Sequence, residues 1–247
     1  MNKKIVLTIA GSDSGGGAGL QADLKTFQAF GVFGTSAVTL VTAQNTLGVQ
    51  QVFPLPPAVV AAQIASVLSD LPPHAIKIGA LGQADIIQAV AAELREVRVP
   101  IILDPVMVAK GGSPLLSPDA VAALTADLLP LATLVTPNLP EAAALGAGVL
   151  AGRDHLLKGG HGTGEVLEDV LHWQGHIFRF PTPRQHTRHT HGTGCTLSSA
   201  IAAGLALGLE MPQAVAQAQA YVARALAAAP GLGGGHGPLE HGVAVPG

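Results

Sequence analysis

The stretch A-I-K-I-G-A-L-G-Q-A-D-I-I-Q-A-V-A-A-E-L-R-E-V-R-V-P-I-I-L-D, residues 75 to 104, carries one complete strand, helix, strand repeat. In its middle, Ile86, Ile87, Val90, Leu94 and Val97 fall on one face at a 3.6-residue period, while Glu93, Arg95, Glu96 and Arg98 fall opposite. The spacing predicts a helix over 83 to 98. At its two ends A-I-K-I-G (75 to 79) and I-I-L-D (101 to 104) are short and largely apolar, as strands are when helices cover both faces of a parallel sheet. The alternation extends outward: runs 4 to 10, 35 to 42 and 132 to 136 read as further strands. Residues 57 to 71 read as a helix with Val60, Ile64, Val67, Leu68 and Leu71 inward, ended by Pro72-Pro73. After residue 154 the pattern changes to L-L-K-G-G, V-L-E-D-V-L and H-I-F-R-F around Gln174-Gly175, which predicts an antiparallel edge. Helices over 194 to 208 and 212 to 228 precede a Gly- and Pro-rich tail. The expectation is one α/β domain over residues 1 to 247, with a mostly parallel central sheet and helices on both faces.

Composition narrows the partners. The chain has 13 Lys and Arg against 16 Asp and Glu, a net charge of −3, and no basic run. That balance argues against nucleic acid and anionic membrane as partners. Only 12% of residues are charged, about half the usual share, which implies either much buried surface or an outer surface partly covered by a partner subunit; a homodimer or larger assembly is expected. Cys195 is the sole cysteine, which excludes an internal disulfide and a Cys-rich zinc cluster and suits a reducing cytoplasm. The opening M-N-K-K-I-V-L-T-I-A stops being apolar at Gly11-Ser12-Asp13, too soon for a signal peptide, and reads as the first strand. No run reaches the roughly 18 apolar residues of a membrane span.

In open α/β sheets ligands bind beyond the carboxyl ends of the strands, so the residues just after each strand carry the functional information. The first such segment is G-S-D-S-G-G-G-A-G (11 to 19), whose glycines let backbone N–H groups approach a ligand or simply make a flexible turn. It matches neither of the two common nucleotide-binding glycine signatures. Asp23 lies about 60° around the helix from Leu20, at the border of the buried stripe, either solvated or aimed at a ligand. Gln44 follows the strand ending V-T-L-V-T-A, where its carboxamide suits a heteroaromatic ring edge or a plain turn. Asp104 ends a strand, and Asn138 and Glu141 in T-P-N-L-P-E have capping-box spacing. A capped helix is still free to present Glu141 to hydrated Mg²⁺, which keeps waters and takes few carboxylates. Lys158 is a strand-end cation suited to phosphate.

The sharpest segment is T-H-G-T-G-C-T (190 to 196), set before a helix with Leu197, Ile201 and Leu205 in line. Gly192 and Gly194 free the backbone to curl, so amides converge on an anion at the helix N-terminus. Cys195 falls in the first turn, where the helix dipole is expected to bring a thiol pKa from about 8.5 towards about 7, making it a base or a nucleophile; plain packing is the other reading. A nucleophilic Cys195 with His191 would make a hydrolase. His186, His189 and His191 match no zinc pattern without further cysteines or carboxylates.

These pieces together resemble a known family. T-I-A-G-S-D-S-G-G-G-A-G-L-Q-A-D-L-K-T-F (8 to 27), T-A-Q-N-T-x-G-V (42 to 49), K-I-G (77 to 79), L-D-P-V-M (103 to 107), T-P-N-L-P-E-A (136 to 142), K-G-G-H (158 to 161) and T-H-G-T-G-C-T-L-S (190 to 198) resemble the hydroxymethylpyrimidine/phosphomethylpyrimidine kinases of thiamine biosynthesis. Single pieces are also similar to pyridoxal kinases and to ribokinase-like sugar kinases. The resemblance implies a ribokinase-like fold, ATP and Mg²⁺ as cofactors, and phosphorylation of 4-amino-5-hydroxymethyl-2-methylpyrimidine and then of its monophosphate. It implies Gln44 and Asp23 on the pyrimidine, with Gly11, Ala18 and Val106 lining its pocket. Cys195 is implied as base and Gly192 and Gly194 as anion hole. Asn138, Thr193 and Lys158 would bind nucleotide, Glu141 would hold the metal, and Asp104 would lie near both. Two departures stand out. Ala80 occupies a position that is usually Met in the family, which implies a roomier pyrimidine pocket. Only the sixteen residues from Ala142 to Leu157 separate two motifs between which relatives fit an extra helix, so that helix is expected to be truncated or absent.

Overall fold

The computed structural model describes residues 3–108, 112, 116–146, 148–160 and 164–246; His161 of the K-G-G-H motif lies outside them. Among the described residues nine strands form one sheet in the order β3-β2-β1-β4-β5-β6-β7-β8-β9. They are β1 (Ile5–Asp13), β2 (Phe33–Asn45), β3 (Gly48–Pro54), β4 (Ala75–Ile78), β5 (Ile101–Leu103), β6 (Leu134–Val135), β7 (His155–Leu157), β8 (Val166–Trp173) and β9 (His176–Pro183). From β2 through β7 neighbouring strands run parallel. Both margins are antiparallel: β8 and β9 as expected, and β3, which the sequence reading left out. From β1 the chain goes to β2 on one side and returns to β4 on the other, which places a topological switch point at the carboxyl ends of β1 and β4.

Among the described residues seven α-helices cover the faces: α1 (Gly19–Ala29), α2 (Pro57–Asp70), α3 (Ala84–Leu94), α4 (Pro118–Ala123), α5 (Leu139–Leu145), α6 (Thr193–Ala206) and α7 (Met211–Ala227). A π turn (Leu124–Leu128) and a 3-10 turn (Leu129–Leu131) prolong α4. Because side chains alternate along a strand, neighbouring positions feed opposite cores. Val6, Ala75, Ile102 and Leu134 pack with Phe27 and Tyr221 and with the buried residues of α6 and α7. Leu7, Ile76, Ile78, Leu103 and Val135 pack with Val60, Ile64, Ile86, Val90 and Leu128 on the other face. α3 stops at Leu94, four residues before the predicted end, because the Arg98 guanidinium donates to the carbonyls of Arg95 and Val97 and Pro100 follows. β1 is longer than expected. Ser12 and Asp13 pair with Val41 and Thr42 after a bulge, so the G-S-D segment continues the strand.

The segment after T-P-N-L-P-E is short, as its length implied. α5 has seven residues and ends at Gly146, where φ is 98°, and the described residues from there to β7 form turns with no further helix. No helix among the described residues is long and apolar enough to cross a membrane.

Candidate active site

The carboxyl ends of β1, β4, β5, β6 and β7 share one edge of the sheet, and the N-termini of α1 and α6 meet there. Asp13, at the end of β1, organises the glycine loop that follows. Its carboxylate accepts from the backbone N–H groups of Gly15 (2.8 Å), Gly17 (3.0 Å) and Ala18 (2.8 Å). Its second oxygen also lies 2.8 Å from His191 Nε2. Burial alone would raise this carboxyl, but the His191 partner and the loop amides hold it below the usual aspartate range. Gln44 Nε2 stands 3.0 Å from the same His191 nitrogen. The Gln44 backbone is pinned to the loop, because Ser14 Oγ accepts from its N–H and donates to its carbonyl. Neither Asp13 nor His191 was singled out for this role by sequence reading. The signal was there: a carboxylate two residues before a glycine run is poised to bond that run's own amides.

The T-H-G-T-G-C-T segment closes over this loop. Gly192 caps α6 in the left-handed region (φ 86°), and a side chain there would overlap the Gly17 carbonyl oxygen. Gly194 faces the other half of the site: a Cβ on it would stand 3.3 Å from Lys158 Nζ and 3.5 Å from Asp104 Oδ2. The Thr193 N–H is taken by the Thr190 carbonyl at 3.4 Å, which leaves the Gly194 and Cys195 N–H groups as the first-turn donors without a partner inside the helix. Thr193 lies in that turn with its hydroxyl donating to the Thr190 carbonyl at 2.6 Å.

Cys195 follows, half-buried. The expectation of a lowered thiol pKa is overturned: burial pushes it up to about 11, with Asp23 and Asp104 adding to the rise. Lys77 and the Gly19 amide oppose that rise. The helix N-terminus is real, but desolvation outweighs its dipole. A resting Cys195 is therefore a neutral thiol. His191 is engaged by Asp13 and Gln44, so its ring partners are those two and not the sulfur of a hydrolase pair.

On the far side, Asp104 after β5, Lys158 after β7 and Glu141 in α5 form a charged cluster. Lys158 Nζ donates to Asp104 Oδ1 at 2.7 Å and lies 3.9 Å from Glu141 Oε2. Thr136 Oγ1 donates to the same Asp104 oxygen at 3.3 Å. The capping box is formed: Asn138 Oδ1 accepts from the Glu141 N–H and Glu141 Oε2 accepts from the Asn138 N–H, both at 2.8 Å. Burial, and then Asp104, push the Glu141 carboxyl up to about 7, against the pull of Lys158. Burial opposes the charge on Lys158, yet Asp104 and Glu141 hold its ammonium above the usual lysine range. Among the described residues no three His, Cys, Asp or Glu side chains are gathered to hold a metal. A cation here would be held by one or two carboxylates and water.

Of the expected pocket residues, Gly11 is buried beneath Leu40, whose side chain would collide with a Cβ there. Ala18 and Val106 are half-buried at the loop ends of β1 and β5. Asp23 is corrected. It lies fully inside, with no exposed surface, not at a border: Lys77 Nζ donates to both its oxygens (3.0 and 2.8 Å), Thr8 Oγ1 to one (2.6 Å) and Ser199 Oγ to the other (2.7 Å). α6 packs over the side of α1 that a single helix period leaves open.

Residues 13–240 match the family model described as phosphomethylpyrimidine kinase. A hydroxymethylpyrimidine/phosphomethylpyrimidine kinase of Haemophilus influenzae is 47% identical over 97% of this chain and 97% of its own. The phosphomethylpyrimidine kinase of Clostridium difficile superposes with a TM-score of 0.78 at 40% identity, over 90% of this chain and 98% of that one. The pyridoxal kinase of Staphylococcus aureus, solved with AMP-PCP and pyridoxal, superposes with a TM-score of 0.88 at 33% identity, over 98% of this chain and 94% of that one.

Proposed function

Since the chain belongs to the phosphomethylpyrimidine kinase family, we propose that it transfers the γ-phosphoryl group of ATP to the hydroxymethyl group of 4-amino-5-hydroxymethyl-2-methylpyrimidine, and a second one to the monophosphate, in thiamine biosynthesis. The observation that carries the reading is the meeting of the α6 N-terminus with Lys158 and Asp104 across Gly194. Phosphoryl transfer needs positioning and charge stabilisation more than covalent help, and first-turn amides facing an ammonium supply both. Gly192 and Gly194 form the anion hole, Lys158 takes the phosphate charge, and Asn138 and Thr193 lie on the nucleotide side. Gln44 orients the aminopyrimidine, over a pocket lined by Gly11, Ala18 and Val106. Cys195 accepts the proton of the attacking hydroxyl.

The donor set fits Mg²⁺. Asp104 and Glu141 bring two carboxyl groups beside one ammonium, with burial and then Asp104 keeping Glu141 partly protonated, and no all-protein cage surrounds them among the described residues. When bound, Mg²⁺ neutralises phosphate oxygens. Residues 1 to 247 act as one kinase domain in the cytoplasm, where a lone thiol stays reduced.

The test measures ATP consumption with the free pyrimidine and with its monophosphate in the presence of Mg²⁺. Turnover of both is expected, and turnover of neither sinks the assignment. Pyridoxal is a second reading, supported by the higher TM-score to a pyridoxal kinase and by the small Ala80 side chain. Direct competition between pyridoxal and the pyrimidine for one preparation separates the two.

A further inference from the structure

Lys77 is the one charged side chain in β4, in a strand that is otherwise apolar and wholly buried. It stands directly across from Thr8 of β1, at the switch point, on the face covered by α1 and α6. Its chain turns upward along the strand. A Cβ on Gly79, two residues on and on the same face, would stand only 2.7 Å from Lys77 Nζ, so the glycine leaves room for the ammonium at the strand end, just below the site. There Asp23 pairs with it at 2.8 Å, and Thr8 and Ser199 complete the hydrogen bonding of the carboxylate. Ser199 lies one helical turn after Cys195, so the two side chains share a face of α6 and the sulfur stands above the Lys77–Asp23 pair.

We propose that Lys77, held in place by Asp23, is the fixed positive charge that stabilises the deprotonated sulfur of Cys195, and so is a positioning residue for phosphoryl transfer. The proposal rests on the kinase reading. In the step, the hydroxyl O–H bond breaks and S–H forms while the oxygen bonds to phosphorus, and the phosphorus bond to the departing diphosphate breaks with its electron pair. Around the sulfur stand Lys77 from β4, Asp23 and the Gly19 amide from α1, Asp104 after β5 and Lys158 after β7. Lys158 is tied to Asp104 and Lys77 to Asp23, and Lys77 opposes the effect of burial on the thiol.

Because Cys195 is the only cysteine, alkylation of the whole protein by iodoacetamide reads this sulfur alone. Removing a neighbouring opposite charge shifts a pKa by about 1 to 3 units. After the partly compensating rise in thiolate nucleophilicity, Lys77→Met is expected to slow alkylation at pH 8 by roughly 3- to 50-fold. Lys77→Met leaves Asp23 buried and unpaired, so the double variant Lys77→Met/Asp23→Asn, which strands no charge, is measured beside it, with circular dichroism to confirm folding. The double variant is expected to be slower than the parent, though by less. A purely structural role predicts the opposite sign, since loosened packing exposes the sulfur and speeds alkylation. A folded double variant alkylated at or above the parent rate overturns the proposal. Slowed alkylation in a protein whose parent turns over neither pyrimidine overturns the pyrimidine-kinase reading and the role of Lys77 in phosphoryl transfer with it, leaving only the charge pairing of Lys77 with the sulfur.

Discussion

At Cys195 the chemistry turns on a thiol that rests neutral. If this sulfur is the proton acceptor, only its deprotonated fraction is competent, and well below a pKa of about 11 that fraction grows tenfold per pH unit. The parent rate is therefore expected to climb between pH 7 and 9. Cys195→Ala is expected to lose a factor on the order of 10² to 10⁴ and to flatten that climb. A steady-state profile of both proteins checks this, and an alanine variant matching the parent would mean the sulfur is a bystander. At Gly192 the constraint is backbone geometry. Its φ of 86° and the Gly17 carbonyl beside it leave no place for a Cβ, so Gly192→Ala is expected to cost more than about 1 kcal/mol, read as a lower urea midpoint. Residue types at these places were readable beforehand, because glycines and a lone cysteine at a helix start are informative in themselves. What stayed hidden was the balance around the sulfur. Dipole and desolvation act in opposite directions, and only the packing of α1 and β4 decides between them.

Among the elements, α5 joins a structural cap to a charged cluster. The Glu141 carboxyl is neutral to higher pH in the folded protein than in the unfolded chain, about 7 against an ordinary 4.5. Between those values the folded state binds more protons, so this group's contribution to stability is full below pH 4.5 and is lost as pH rises through 7. Glu141→Gln is expected to flatten that decline, raising the melting temperature at pH 8 relative to the parent more than at pH 5. Thermal melts at the two pH values check it, and equal effects at both would show that the carboxyl does not titrate in this range. The Asn138–Glu141 cap was legible because its spacing is local. β3 was not: G-V-Q-Q-V-F-P alternates poorly, because a largely exposed margin strand carries little burial pattern. α4 also escaped, since the π turn at Leu124–Leu128 breaks the 3.6-residue repeat in a run that is apolar on several sides. The parallel centre of the sheet was the most readable part because both of its faces are covered.

At the scale of the molecule, the low share of charged residues has a visible counterpart on the sheet's β3 margin. Val41 and Phe53 are directly paired across β2 and β3, yet 44% and 65% of their surfaces remain exposed, and Leu47 at the hairpin turn is exposed too. β3 also ends the sheet order, so its outer backbone edge has no strand beside it. Neighbouring apolar side chains next to an open strand edge are costly in water and invite association. A second copy of the chain is the simplest cover, consistent with the two-fold symmetry of most small oligomers. The same hairpin carries Gln44, one pair before the turn, so an interface there would stiffen the wall of the proposed pyrimidine pocket. Sedimentation equilibrium of the parent at micromolar concentration is expected to give twice the chain mass. A single Phe53→Glu substitution, which places a charge where burial would be required, is expected to shift it to the chain mass while leaving the circular dichroism spectrum intact. A parent that sediments as a monomer, or a Phe53→Glu protein that remains a dimer, would remove this surface from consideration and return the low charge content to the interior, where the two helix layers bury an apolar core on each face of the sheet.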